Sequence, residues 1–282
     1  MSRAEVEAQI RAHPVEGTIA EKRARFAAMA GPGPVGTADV IGGVEVVCHG
    51  QGTPILWLHG GGFVFGSPET HARLADALSR QAQARVILPR YRLTPEADWP
   101  APLDDALAVL DAIDGPVTIA GDSAGGQLAL LTALARRGRA SALALVSPNT
   151  DRSGRSLTRE VNSPRDLTND AEADARLNAV AQGGLPPQHP HRSPLLADLR
   201  GLPPVYLTAS RAEVLADDAR LLAEALVRAG VPLTTRWEDD LFHLWPLWPE
   251  ALPEARQTLS AIAALHRQAM DHPVTPTHKD VA

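Results

Sequence analysis

The stretch Gly121-Asp122-Ser123-Ala124-Gly125-Gly126 is the motif of this chain that most clearly indicates its fold. It follows an apolar run, Val117-Thr118-Ile119-Ala120, that predicts a strand, and it leads into residues 127–134, which are rich in helix formers. A Gly-x-Ser-x-Gly sequence between a strand and a helix is typical of a nucleophile elbow, a strained turn that lifts a serine hydroxyl above the edge of a sheet. Ser123 is therefore the candidate nucleophile, and a glycine-rich turn with an incidental serine is the alternative.

Segments of strand and helix character alternate on both sides of this turn. Apolar, strand-like runs lie at residues 44–48, 54–58, 85–88, 117–120, 142–146, 204–209 and 233–237. Helical segments separate most of these runs, and this alternation predicts an α/β fold with a mostly parallel sheet covered by helices on both faces. No internal repeat is visible, so the sequence predicts a single domain over residues 1–282.

Two regions lie outside this alternation. Residues 2–30 have helical periodicity interrupted at Pro14, and residues 150–201 are polar and rich in Asp, Arg, Ser and Pro, with one helical stretch at 171–180. We interpret the regions at about 1–35 and 150–201 as cap elements that cover a substrate site. A disordered surface insertion is the alternative for the second region.

The composition excludes several classes of function. The net charge is −6, so there is no basic surface of the kind that binds nucleic acid. No apolar run reaches the roughly 18 residues of a membrane-spanning helix, the charged N-terminus does not resemble a signal peptide, and the single Cys48 cannot form an internal disulfide. Because no clustered ligand spacing such as His-x-x-x-His is present, we expect no metal and no cofactor. These features predict a cytoplasmic protein without nucleic-acid or membrane partners.

A serine nucleophile needs a base that removes its proton and an acid that holds this base in one tautomer. On a fold of this kind the chain order is serine, acid, histidine. Among the histidines after Ser123, His243 alone lies between the last predicted strand and the last predicted helix, so it is the candidate base. The acid should follow the strand that ends near residue 209. The candidates there are Glu213, Asp217 and Asp218. Glu213 is the first carboxylate beyond that strand and is the favoured acid, Asp217 is the second choice, and Asp239 and Asp240 are third.

A glycine run predicts where the charge of the reaction intermediate is held. His59-Gly60-Gly61-Gly62 follows the apolar run 54–58 and leaves bare backbone N–H groups that can approach a ligand closely. Donors must be aimed in advance at the oxygen that becomes negative during acyl transfer. We therefore predict an oxyanion hole formed by the N–H groups of Gly61, Gly62 and Ala124.

Together these motifs resemble the hormone-sensitive-lipase-like esterases of the α/β-hydrolase superfamily, bacterial family IV. The resemblance spans about residues 40–270 and includes the segments 91–96, 193–195, 201–205 and 242–243. It implies an eight-stranded sheet, with a cap formed by the N-terminal helices and the insertion after strand six. By position, Ser123 matches the family's nucleophile and His243 its base. Glu213 stands where many members carry aspartate, and it resembles a sub-branch that uses glutamate.

The resemblance implies a serine carboxylesterase that hydrolyses small or short-acyl esters through an acyl-enzyme, with a small-molecule ester as its partner. It also implies that a homodimer can form through the last strand. Asn149 stands where the family leads one to expect tryptophan, so the pocket wall is expected to differ there. The other predicted pocket residues are the aromatics Phe63, Phe65, Trp99, Phe242 and Trp245. A lactone or amide hydrolase, an acyltransferase with the same triad, and a non-catalytic ligand-binding relative are the alternatives.

Overall fold

One eight-stranded sheet organises the computed structural model, which describes residues 1–271. Its strands are β1 (Thr37–Ile41), β2 (Val44–His49), β3 (Pro54–Leu58), β4 (Arg85–Pro89), β5 (Val117–Asp122), β6 (Ala140–Val146), β7 (Val205–Ser210) and β8 (Leu233–Glu238). Their spatial order is β1-β2-β4-β3-β5-β6-β7-β8. The β1–β2 and β2–β4 pairs are antiparallel and the other neighbours are parallel. The predicted α/β fold with a mostly parallel sheet is confirmed.

The sequence analysis did not predict β1. This strand is exposed along nearly its whole length, so it lacks the apolar run from which the other strands were identified. It forms a hairpin with β2 through Gly42-Gly43, both with positive φ angles of 59° and 80°. A Gly-Gly pair is a known signal for a two-residue hairpin turn, so this local signal was available in the sequence.

Nine helices lie along residues 1–271. They are α1 (Arg3–Ala12), α2 (Ile19–Ala30), α3 (Ala72–Ala82), α4 (Ala101–Asp111), α5 (Ala124–Ala135), α6 (Thr158–Val161), α7 (Ala171–Gln182), α8 (Ala216–Arg228) and α9 (Pro253–Asp271). Residues of α4, α5 and α8 pack on one face of the sheet, and residues of α3 and α9 pack on the other. The core on this second face also includes apolar residues of α1 and α2. Successive residues of β3 belong to opposite faces, because side chains alternate along a strand. Leu56 lies in the first core, and Ile55 and Trp57 lie in the second.

The parallel register places the C-terminal ends of five strands side by side at one edge of the sheet, namely those of β3, β5, β6, β7 and β8. Leu58 of β3 is aligned with Gly121 of β5, and Asp122 of β5 with Val146 of β6. Ser210 of β7 and Glu238 of β8 are aligned in the same way. Because these strands run in the same direction, the loops that follow them emerge side by side above this edge. These loops carry every residue predicted for the triad and the oxyanion hole.

The two predicted cap regions are held in different ways. Helices α1 and α2 each begin with a capping box, formed by Ser2 with Glu5 and by Thr18 with Glu21, which satisfies backbone donors of the first turn. Residues 150–201 instead contain few buried apolar side chains, and four charged residues anchor them. Arg152, Arg159, Asp174 and Asp218 form this buried ion cluster, in which both arginines contact Asp174 and Arg159 also contacts Asp218. Residues 150–201 therefore form a folded insertion, which contradicts the alternative of a disordered one.

Two further observations bear on the sequence predictions. Within residues 1–271 no helix combines the length and apolarity needed to cross a bilayer. Strand β8 is an outermost strand of the sheet, as pairing of two copies through the last strand requires. This pairing itself stays a prediction.

Candidate active site

The turn at Ser123 has the geometry of a nucleophile elbow. Ser123 has φ 56° and ψ −123°, a backbone conformation that costs energy in any residue with a side chain. Its N–H donates to the carbonyl of Val146 at 3.0 Å, and α5 begins at the next residue. A Cβ atom added at Gly121 would collide with the carbonyl of Gly125. One added at Gly125 would collide with the carbonyl of Leu58, so glycine is required on both sides of the turn.

The predicted serine, histidine and glutamate are connected in one line of hydrogen bonds. His243 Nε2 lies 2.9 Å from Ser123 Oγ, and His243 Nδ1 lies 2.6 Å from Glu213 Oε2. A carboxylate can only accept, so Nδ1 carries the proton and Nε2 is free to accept the serine proton. Glu213 is fully buried and His243 is 3 % exposed, so the line is shielded from water. This arrangement can deprotonate Ser123.

Glu213 is held from its other side as well. Its Oε1 accepts from Ser147 Oγ at 2.6 Å and from the Ser210 N–H at 2.7 Å. The alternative acid, Asp217, lies elsewhere, because it accepts from the Leu157 N–H at 3.0 Å and pairs with Arg220. The remaining alternatives also form pairs away from His243: Asp239 with Arg211 and Asp240 with Arg3. Of the carboxylates considered from the sequence, the structure brings only Glu213 to His243.

The environment of His243 shifts its pKa. Burial lowers the pKa of the imidazole, but the hydrogen bond to Glu213 and the negative charges of Glu213 and Asp166 outweigh this effect. The pKa of His243 is therefore raised above its ordinary value. A raised pKa makes His243 a stronger base for Ser123, at the cost of protonation at a higher pH.

Asp166 is a site residue that the sequence analysis missed. Its Oδ2 accepts from the Val214 N–H at 3.0 Å and its Oδ1 from the His243 N–H at 3.3 Å. The neighbouring Thr168 donates from its hydroxyl to the His243 carbonyl at 3.0 Å. Burial raises the pKa of Asp166, and the negative Glu213 adds to this, while the nearby His243 opposes it. No motif marks this aspartate, because it lies in the polar insertion and reaches both catalytic loops only in the folded chain.

Asp122 connects the elbow to the glycine loop. Its carboxylate accepts from Trp57 Nε1 at 2.9 Å and from the Gly60 N–H at 3.1 Å, and it lies 3.2 Å from His71 Nε2. Burial raises the pKa of Asp122, but the charge and hydrogen bond of His71 outweigh it, so this pKa lies below its ordinary value. The variable residue of the Gly-x-Ser motif thus fixes the loop of the predicted oxyanion hole against the nucleophile.

The glycine loop leaves backbone donors free. Gly61 and Gly62 have φ angles of 122° and 60°, which favour glycine. Within residues 1–271, the N–H groups of Gly61, Gly62 and Ala124 have no intramolecular acceptor. Arg23 of α2 supports the end of this loop by donating to the Val64 carbonyl at 2.9 Å. Free N–H groups beside a serine nucleophile are what an oxyanion hole requires.

A cavity of about 280 Å³ opens over Ser123. Of the predicted site residues, Ser123, His243, Gly61, Gly62, Phe63, Phe65 and Asn149 line it. Both cap regions contribute as well, with Phe26 and Met29 from α2 and Leu177 from α7. Helix α2 and the insertion therefore form part of the cavity wall.

Three of the predicted pocket aromatics do not line this cavity. Trp99 lies behind Phe63, with ring centroids 5.3 Å apart, and its Nε1 donates to His191 at 3.2 Å. Phe242 and Trp245 belong to the hydrophobic core that also contains Ile55 and Trp57 of β3. Phe242 packs edge to face against Trp248, with ring centroids 5.7 Å apart. Leu244 adopts a left-handed conformation with φ 69°, and Trp245 then begins a short 3₁₀ helix whose three residues are buried. The sequence-based pocket assignment of these three residues is corrected accordingly.

The family model described as alpha/beta hydrolase fold matches residues 55–247. An acetyl-hydrolase of Streptomyces hygroscopicus is 35% identical over 229 residues, which cover 78% of this chain and 77% of the relative. A carboxylesterase/phospholipase, LipF, of Mycobacterium tuberculosis is 32% identical over 273 residues, which cover 87% of this chain and 70% of the relative.

Solved structures agree with these relatives. A crystal structure of an esterase from the bacterial hormone-sensitive lipase family has a TM-score of 0.88 and 30% identity, and the match covers 95% of this chain and 97% of that one. A crystal structure of EstE5 soaked with p-nitrophenyl butyrate has a TM-score of 0.87 and 28% identity, with coverage of 95% and 98%.

Proposed function

Because this chain belongs to the hormone-sensitive-lipase-like esterases of the α/β-hydrolase family and is a carboxylic ester hydrolase, we propose that it cleaves small or short-acyl esters through an acyl-enzyme. The observation that carries this proposal is the hydrogen-bonded line from Glu213 through His243 to Ser123, at 2.6 and 2.9 Å. This line ends beside N–H groups that have no acceptor within residues 1–271.

In the proposed first step, Ser123 Oγ attacks the ester carbonyl carbon while its proton moves to His243 Nε2. The carbonyl electron pair moves onto the oxygen, which the N–H groups of Gly61, Gly62 and Ala124 stabilise. Collapse of this intermediate breaks the bond to the alcohol, and the proton on His243 Nε2 passes to the leaving oxygen. Water then attacks the acyl-enzyme with His243 again acting as base, and this step releases the carboxylic acid and restores Ser123.

The size of the cavity supports small substrates. Pockets for drug-sized ligands enclose roughly 300–1,000 Å³, and the cavity over Ser123, at about 280 Å³, lies at the lower end of that range. Two similar proteins point the same way, since one is an acetyl-hydrolase and crystals of the other were soaked with a butyrate ester. We propose that the regions at about 1–35 and 150–201 act as the cap that sets this size, because both contribute to the cavity wall.

Replacing Ser123 by alanine tests the mechanism directly. We expect turnover of 4-nitrophenyl acetate and 4-nitrophenyl butyrate to fall by at least about 10⁴-fold, because the covalent route is lost. Ser260, which is exposed on α9, provides a matched control, and its alanine variant should keep wild-type turnover. A fluorophosphonate probe should add its mass once to wild-type protein and not to the Ser123→Ala variant. Retained turnover in that variant would refute the mechanism.

The same triad geometry can also act on lactones or amides. A panel of acetyl, butyryl and octanoyl esters, a γ-lactone and an acetanilide separates these reactions. We expect the short esters to have the largest kcat/KM. A larger value for the lactone or the amide would replace the ester proposal while leaving the role of Ser123 in place. A non-catalytic receptor would show neither turnover nor labelling.

A further inference from the structure

Within residues 1–271, only the oxygen of the Asn149 side-chain amide forms a hydrogen bond, and the NH₂ group forms none. Asn149 follows β6, and its backbone N–H donates to the Ser123 carbonyl at 3.0 Å, which holds it beside the nucleophile. The side chain is 6 % exposed and lines the cavity together with Ser123. A polar group in this position can contact a molecule bound beside Ser123.

Arg159 decides which way this amide faces. Its Nη2 donates to Asn149 Oδ1 at 2.9 Å, and a guanidinium has no acceptor, so the amide oxygen must face it. Arg159 is itself fixed, because it also contacts Asp174 and lies 2.6 Å from Asp218 Oδ1 in the buried ion cluster. The Asn149 NH₂ group therefore faces away from the cluster, and it has no acceptor within residues 1–271.

We propose that the Asn149 NH₂ group donates a hydrogen bond to an oxygen atom of the substrate next to the reacting ester. The enzyme then favours esters with an ether, hydroxyl or keto oxygen close to the scissile carbonyl over hydrocarbon esters of the same shape. A hydrocarbon at this point would leave a buried donor without a partner, and sites built in this way reject the analogue that lacks the oxygen. This inference rests on the proposed esterase function.

The experiment uses pairs of isosteric esters. 4-Nitrophenyl methoxyacetate and 4-nitrophenyl butyrate differ by one oxygen in place of one methylene in the acyl chain. 2-Methoxyethyl acetate and butyl acetate differ in the same way in the alcohol. For each pair, the ratio of kcat/KM values is divided by the ratio of the hydroxide-catalysed rates, which removes the intrinsic reactivity of the oxygenated ester. The acyl pair and the alcohol pair then tell which side of the ester Asn149 contacts.

Two variants separate the donor from the structural role of Asn149. Asn149→Leu removes both functions of the amide, whereas Asn149→Asp keeps an acceptor for Arg159 and replaces the NH₂ donor by a negatively charged acceptor oxygen. We expect the corrected ratio of one pair to fall about fivefold in both variants, which corresponds to one hydrogen bond. Leu177→Met is the matched control, because it changes an apolar part of the same cavity wall and should leave both ratios unchanged. If Asn149→Leu does not fold, Asn149→Asp decides the question alone.

The outcomes are distinguishable from a failure of the proposed function. If wild-type protein is labelled at Ser123 and hydrolyses the esters, but both corrected ratios are near one or stay unchanged in Asn149→Asp, the inference is overturned and the esterase proposal stands. If wild-type protein neither reacts with the probe nor hydrolyses any ester, the proposed function fails and the inference fails with it.

Discussion

Replacing Glu213 by glutamine changes a single acceptor oxygen of a buried side chain into an NH₂ group. In the structure both carboxylate oxygens accept: Oε2 from His243 Nδ1 at 2.6 Å, and Oε1 from the Ser210 N–H at 2.7 Å. The Ser210 N–H can only donate, so the glutamine must turn its remaining oxygen toward it. Its NH₂ group then faces His243 Nδ1.

This exchange inverts the tautomer of His243. Nδ1 must now accept from the glutamine, so the ring proton moves to Nε2, which then donates to Ser123 instead of accepting from it. The same change of acid to amide in a serine protease triad lowers kcat by about 10⁴-fold, or roughly 5 kcal/mol in the barrier. We expect a loss of this size in Glu213→Gln, because Glu213 likewise accepts from Nδ1 of the histidine that contacts the serine.

The assay is steady-state hydrolysis of 4-nitrophenyl acetate, with circular dichroism and urea unfolding to show that the variant is folded. Asp217→Asn is the matched control, because Asp217 is the neighbouring carboxylate that does not contact His243. We expect its kcat to stay within about tenfold of the wild type, since it touches no reacting atom. A Glu213→Gln variant that keeps kcat within tenfold, or an Asp217→Asn variant that loses more, would refute the reasoning.

Two further predictions concern charges around the site. Asp166→Asn removes a negative charge that helps raise the pKa of His243, so the acid limb of the kcat/KM profile should move to lower pH; an unchanged or higher midpoint in a pH titration would contradict this. Arg159→Met leaves Asp174 and Asp218 without their shared counter-charge, so urea unfolding should show a loss of about 3–5 kcal/mol. A loss below about 1 kcal/mol would mean that the buried ion cluster contributes no more than a surface pair.

Much of this protein follows from local sequence patterns. Apolar runs and helical segments alternate strongly enough to predict the α/β fold, and seven of the eight strands were placed. The elbow also follows from local sequence, because the turn at Ser123 leaves no room for a side chain at Gly121 or Gly125. His243 could be predicted because chain order and strand direction leave one loop from which a base can reach the serine.

The remaining features depend on contacts between segments far apart in sequence. Asp166 lies 77 residues from His243 and reaches it only after the insertion folds over the sheet edge. Phe242 and Trp245 lie close to His243 in sequence, yet both side chains pack into the core that also contains Trp57. Asn149 could be read as a pocket residue, but only Arg159 determines which end of its amide meets the substrate. Local sequence was therefore enough to predict the α/β fold and to propose the roles of Ser123 and His243, because these predictions depend on the local backbone and on strand order. Tertiary structure decided the shape and polarity of the cavity, because side-chain direction is set by packing partners that local sequence does not specify.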